Sequence, residues 1–164
     1  MMSVQTELTI PDGYRPMRLQ DLEAVLVLER RAYAFPWSAT NFSACLHAQY
    51  SAWVVQEASE LVAYGIYSVA VGEATILNLC VSPTHQRRGL GQQLLLFLLA
   101  AAKTEQAQEV FLEVRQSNQA ARALYESLGF NQYAERKNYY PGVGGRENAL
   151  LYCKTLLDQT DPPR

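Results

Sequence analysis

What this sequence has little of narrows its roles quickly. It holds three cysteines, Cys45, Cys80 and Cys153. They are odd in number and form no CxxC pair, which excludes a disulfide framework or a zinc ribbon. Its two histidines, His47 and His85, are too few and too scattered for a metal centre, so no metal is expected. No charge of one sign dominates: 14 Lys+Arg against 16 Asp+Glu leave a net −2. Without a basic face, DNA and RNA are excluded as direct ligands. The longest apolar run, "LLLFLLAAA" at 94–102, is about half the ~20 residues that a membrane span needs. The opening "MMSVQTELTIPDG" lacks the apolar centre of a signal peptide. These absences lead to the expectation of a reduced, soluble, cytoplasmic protein with no membrane partner. A monomer is the favoured state.

What is present is a core. Hydrophobic residues make up 49% of the chain, with ten Tyr, five Phe and two Trp, enough for one packed domain over 1–164. Its ordered part is expected at about 14–157, between a loose lead-in (1–13) and a frayed tail, "DQTDPPR" at 158–164. Periodicity predicts a short strand at 14–18, a helix over "LQDLEAVLVLERRAY", a break at "FPWS", and a second helix at 39–48 capped by Ser38. Strands follow at 51–57, 61–71 and 73–81, then a helix at 90–103 that is apolar on most sides and must be buried. A strand at 109–114, a helix at 118–128 stopped by Gly129, and strands near 130–136 and 147–156 complete the chain. The last two flank a loop, "KNYYPGVGGR". The three-strand meander implies antiparallel pairing, and the strand–helix–strand step from 73 to 114 implies a parallel crossover. The fold class is therefore α/β, a mixed sheet with helices on both faces.

One turn has the chemistry of an anion cradle. In "VSPTHQRRGLGQQLL", Gly89 and Gly91 allow close backbone approach and positive φ, and the following helix start offers unpaired N–H groups. Arg87 and Arg88 add donors suited to phosphate. An ordinary basic, glycine-containing turn is the alternative. The stretch matches neither the dinucleotide fingerprint nor the P-loop. Gln86-Arg87-Arg88-Gly89-Leu90-Gly91 does resemble the Q/R-x-x-G-x-G/A signature of the GNAT superfamily of N-acetyltransferases, and the element order is similar to theirs. The resemblance implies that Arg87, Arg88, Gly89, Leu90, Gly91 and Gln92 hold the pyrophosphate of acetyl-CoA. It also implies that the backbone of Leu79, Cys80 and Val81 pairs with the pantetheine arm as an added strand would. The third meander strand would splay from "EVFLEV" to make room.

Two residues sit oddly in "FLEVRQSNQAARALYESLGF". By alternation Val110, Leu112 and Val114 face one way and Phe111, Glu113 and Arg115 the other, so Glu113 lies in the body of a central strand. A carboxylate there is costly unless paired or solvated; Arg115 and Arg122 are candidate partners. In an opened cleft Glu113 would instead accept the proton of an attacking amine. Tyr125 lies among small and aliphatic neighbours, either as a packed core tyrosine or, by resemblance to the Y-x-x-x-G-F run of the superfamily, as the acid that meets the leaving thiolate. Asn118 is a helix N-cap and, by the same resemblance, a contact of the cofactor arm.

"RAYAFPWS", "LEVRQSNQAARALYESLGF" and "RKNYYPGVGGRENALLY" resemble the ribosomal-protein-alanine (RimI-type) N-acetyltransferases. That resemblance implies an enzyme whose partner is the N-terminal peptide of ribosomal protein S18 and whose acceptor is its alanine amine. Asn148 departs from the Asp common after "GRE" there. Trp37, Tyr139 and Tyr140, in aromatic loops, would contact the peptide; packing between helices or in a hairpin is the alternative. Two other functions stay open: a small-molecule (antibiotic or polyamine) acetyltransferase, and a non-catalytic acyl-CoA-binding module. Cys80, a strand thiol without an activating neighbour, is read as a buried hydrophobe, so the amine attacks directly.

Overall fold

A computed structural model describes residues 7–157. The expected tail at 158–164 and the first six residues of the lead-in lie outside them. Strands are β1 (Tyr14–Pro16), β2 (Ser51–Glu57), β3 (Glu60–Ala70), β4 (Glu73–Val81), β5 (Glu109–Arg115), β6 (Asn131–Gly142) and β7 (Gly145–Thr155). Helices are α1 (Leu22–Ala32), α2 (Ala39–His47), α3 (Leu90–Thr104) and α4 (Gln119–Ser127). The strands form one sheet in the order β1-β2-β3-β4-β5-β7-β6. Every neighbouring pair is antiparallel except β4–β5, joined through α3. No helix of the described residues is long and apolar enough to cross a membrane.

Local chemistry explains the element boundaries. Ser38 caps α2 as expected: its Oγ accepts Asn41 N–H at 3.2 Å, and Asn41 Oδ1 accepts Ser38 N–H at 2.9 Å. The first helix starts later than its periodicity predicts. The Asp21 carboxylate binds Arg15 at 2.7 Å and the Arg18 N–H at 2.7 Å, and residues Leu19–Asp21 close a single 3-10 turn before α1. The aromatic stretch expected as a loop is mostly strand. β6 and β7 run on to a two-residue turn at 143–144, and β6 tolerates Pro141 because it is an edge strand.

Two cores lie on opposite sides of the sheet. On one, α3 and α4 cover Val110, Leu112 and Val114; Leu94, Leu95 and Leu98 of α3 have no exposed surface. On the other, α1 and α2 set Val25, Leu28 and Phe42 against Tyr64, Ile66 and Cys80. α3 is buried as expected along most of its length, with Leu96 left 48% exposed.

One irregularity shapes the sheet. Ile66 pairs with Asn78 but Tyr67 pairs with Ile76, so Leu77 is an extra residue in β4. Such a bulge bends its strand and strengthens the local twist. The parallel β4–β5 ladder spans only Glu73–Ile76 against Glu109–Leu112, ending where the bulge begins. Beyond it β5 stays paired with β7 as far as Arg115, while the last residues of β4 part from β5. The expected splay is therefore present.

β3 and α3 approach closely at Gly65, where a Cβ would lie 2.6 Å from Cδ1 of the fully buried Leu98. Gly65→Ala is expected to destabilise the fold by about 1–3 kcal/mol through overpacking, measured by urea unfolding; Gly144→Ala, whose Cβ meets nothing within 4 Å, is the control.

Candidate active site

The turn after β4 has the geometry of an anion cradle. Gly89 precedes α3 at φ +79° with open space where a Cβ would point, and Arg87 is also left-handed, at φ +63°. No side chain caps this helix start, so the amides of Leu90, Gly91 and Gln92 lack intrahelical partners. Gly91 departs from expectation: it is helical, and a Cβ there would make ordinary contacts with Leu124 at 3.6 Å and Val81 at 3.7 Å. It allows close approach but supplies no unusual φ. Arg88 reaches Glu57 at 3.5 Å, an exposed pair that competes weakly with an incoming anion.

From this turn the gap between β4 and β5 leads inward. Strand parity decides which backbone groups face it. Ser82 donates to Val62 O of β3 at 2.8 Å, which turns the even-numbered peptides of this stretch towards β3. The Leu79 carbonyl instead accepts from the Tyr33 hydroxyl, and the Val81 carbonyl from Gln86 Nε2 at 3.1 Å. Leu79 and Val81 therefore present their backbone to the gap. The expected third member, Cys80, is turned towards β3, and its side chain is 2% exposed on the α1 side.

A cleft of about 150 Å³ opens at the gap, lined among others by Glu113, Tyr125, Asn118, Leu79, Trp37 and Tyr140. Glu113 alternates with the buried Leu112 and Val114 and so faces the α1 side; Tyr125, 8% exposed, belongs to the core on the other side. The two expected partners of Glu113 are engaged elsewhere: Arg115 binds Glu147 at 3.0 Å, and Arg122 donates to Gln116 O at 3.0 Å. Its cation is Arg136 at 3.6 Å, in a solvent-screened pair. Asn118 caps α4 as expected, its Oδ1 accepting Ala121 N–H at 3.1 Å.

Arg115 joins the two walls of the cleft mouth. Its guanidinium lies 4.4 Å from the Tyr140 ring centre and 5.0 Å from that of Phe35, and donates to Pro141 O at 2.6 Å. Trp37 packs on Phe42 with ring centres 5.2 Å apart and also lines the cleft. Tyr139 does not line it; 42% exposed, it packs edge-on against Tyr140 at 5.0 Å.

Residues 22–130 match the model of the acetyltransferase (GNAT) family. The chain belongs to that family. It is 43% identical over 131 residues, 80% of this chain and 88% of the relative, to the ribosomal protein bS18-alanine N-acetyltransferase of Escherichia coli K12. Identity to the Haemophilus ducreyi protein of the same name is 38% over 138 residues, 84% of this chain and 95% of that one. The crystal structure of the Escherichia coli ribosomal-protein-S18-alanine N-acetyltransferase superposes with a TM-score of 0.83 at 37% identity, covering 91% of this chain and 97% of that one.

Three polar residues of this GNAT acetyltransferase's cleft escaped the sequence reading: Glu29, Tyr33 and Asn78. Glu29 carried a usable signal. It follows Val25 and Leu28 at helical spacing, so it lies on the buried stripe of α1, and it is only 2% exposed. Tyr33 and Asn78 had none, because their partners are distant in sequence. Burial pushes the Tyr33 phenol well above its ordinary value and the Cys80 thiol up to about 12. Both stay protonated at neutral pH.

That raised thiol value has consequences. The folded value exceeds the ordinary one near 9, so the contribution of Cys80 to stability is complete below pH 9 and fades as pH climbs towards 12. At pH 8 native Cys80 should resist iodoacetamide while the half-buried Cys153 is alkylated, read by peptide mapping. Cys80→Ala should retain turnover; its loss would mean that the thiol carries the acetyl group.

Proposed function

We propose that this acetyltransferase moves the acetyl group of acetyl-CoA onto the N-terminal alanine amine of ribosomal protein S18, in the cytoplasm, by direct attack of the amine on the thioester. The named relatives share most of this chain, and their names specify that acceptor. One observation carries the chemistry: a carboxylate and a phenol, Glu113 and Tyr125, line a single cleft from opposite faces of the sheet.

The residues divide the work. Acetyl-CoA supplies an activated acetyl group and a thiolate leaving group. Arg87, Arg88 and the free amides of Leu90, Gly91 and Gln92 suit its diphosphate. The gap-facing peptides of Leu79 and Val81 suit the amides of its extended arm, with Asn118 at the α4 start beside them. On the α1 side, Trp37 and Tyr140 form walls for an extended peptide. An α-amine with a pKa of ~8 is about one-tenth neutral at pH 7, so Glu113 needs to be only a modest base, acting directly or through a water. Burial holds the Tyr125 phenol at about 12. It remains a hydrogen-bond donor throughout the working range and meets the departing thiolate.

An S18 N-terminal hexapeptide, incubated with enzyme and acetyl-CoA, should gain one acetyl unit on its α-amine by mass spectrometry. An unmodified peptide, with a small amine modified instead, would overturn the acceptor. Glu113→Gln should lower kcat by ~10²–10⁴ while acetyl-CoA still binds by calorimetry. Tyr125→Phe should slow turnover without moving the alkaline limb of the pH profile, because the phenol stays protonated up to about pH 12.

A further inference from the structure

Glu29 is a buried carboxylate with no part in the chemistry above. It is 2% exposed, in the last turns of α1, among Val25, Leu28 and Phe42. Burying a carboxylate costs several kcal/mol unless donors compensate it. Three do, each from a different element. Trp37 N–H reaches Oε1 at 2.9 Å, Asn78 Nδ2 reaches Oε2 at 3.1 Å, and the Tyr64 hydroxyl also donates to Oε2. All three are neutral donors, and no ion pair of Glu29 is found among the described residues.

These donors show what the carboxylate does. Tyr64 lies in the middle of β3 with no exposed surface, and Asn78 adjoins the β4 bulge; together they fix Oε2 to the rigid sheet. Oε1 then holds the main chain of Trp37, in the segment between α1 and α2 where no helix or strand fixes the backbone. The Trp37 ring is gripped separately, by Phe42 at 5.2 Å, which in turn packs on Tyr64 at 5.6 Å. A carboxylate suits this post because every partner donates. Glutamine offers one acceptor oxygen in place of two, and its N–H₂ would require Tyr64 or Asn78 to reverse its present donor role.

We propose that Glu29 is a positioning residue that sets the acceptor wall: it ties the Trp37 backbone to the sheet at the distance from Glu113 that the incoming peptide requires. This rests on the acetyl-transfer reading above and deepens it. The tether acts on the α1 side only, so it governs the acceptor and not the donor, whose cradle lies at α3.

The test compares wild type with Glu29→Gln, Glu29→Asp and Tyr64→Phe. Each is assayed for acceptor KM, acetyl-CoA KM, kcat and Tm with the S18 hexapeptide. Glu29→Gln should raise acceptor KM about tenfold, the loss of roughly one charge-assisted hydrogen bond, with acetyl-CoA KM within about twofold. Glu29→Asp keeps the charge but draws it back from Trp37, and should show the same split; it serves if the glutamine variant does not fold. Tyr64→Phe removes one of the two sheet-side donors but leaves the Asn78 anchor and the Trp37 N–H bond in place, so it should lower Tm while acceptor KM stays within about twofold. Acetyl-CoA KM rising in parallel, or Tyr64→Phe matching the acceptor defect, would reduce Glu29 to a fold residue and overturn the proposal. Amide exchange at Trp37, followed by mass spectrometry, needs no substrate: it should quicken in both Glu29 variants, and unchanged protection would remove the tether. If wild type fails to acetylate the peptide while exchange behaves as stated, the acceptor assignment fails and the tether stands.

Discussion

One extra residue in β4 is the constraint on which the rest depends. Leu77 has no counterpart on β3, and the parallel ladder to β5 stops beside it. A sheet without that bulge could carry its ladder on to the end of β5, which would set Leu79 opposite Arg115 and use up the polar edge of β4 in ordinary pairing. With it, the edges of Leu79 and Val81 are left without a strand partner on the β5 side, their carbonyls met by the Tyr33 and Gln86 side chains, next to a helix start whose first amides are unpaired. Donor cradle and open strand edge are thus one device. The bend delivers the strand to the turn, and the turn delivers the helix.

The gap also brings two chemistries into one cleft without letting them meet earlier. Glu113 belongs to the α1 side and Tyr125 to the α3–α4 core. A base and an acid placed on one face would pair with each other. Separated by the sheet, the carboxylate keeps only its weak contact with Arg136, and the phenol is held neutral by burial. The hairpin strands β6 and β7 add the remaining wall. The Arg115 guanidinium, between Tyr140 and Phe35, joins that wall to the α1–α2 segment. Asn148 contributes locally: its Oδ1 accepts Asn138 N–H at 3.0 Å and its Nδ2 donates to Glu135 at 2.8 Å. An Asp there would lack the donor and would face Glu135 with like charge, so the local contacts suit an Asn at this position.

Much of this was legible in the chain, and the reasons differ by residue. Glu113 stood out because alternation put a charge within a buried strand, and the cradle stood out because glycines and arginines met a helix start. Both are local signals. The splay came from resemblance, since a bulge at Leu77 leaves no mark in composition. Tyr139 was placed in the cleft because adjacent aromatics look alike in a loop; the hairpin separates them, lining the cleft with Tyr140 alone. Cys80 was included with its neighbours because which edge a peptide shows depends on register, which Ser82 bonding to Val62 decides. Tyr33 and Asn78 were illegible because their partners lie 46 and 49 residues away.

The outer margins of the sheet complete the picture. β1 is three residues long and ends in Pro16, while β6, at the far margin, carries Glu135, Arg136, Lys137 and Pro141. Short length, charge and missing N–H groups make both margins poor templates for another chain. Strand edge available for a β-ladder is therefore poor at the periphery and present at a seam inside the molecule. The same backbone logic that closes the two margins to another strand leaves the seam between β4 and β5 with unpaired strand edge.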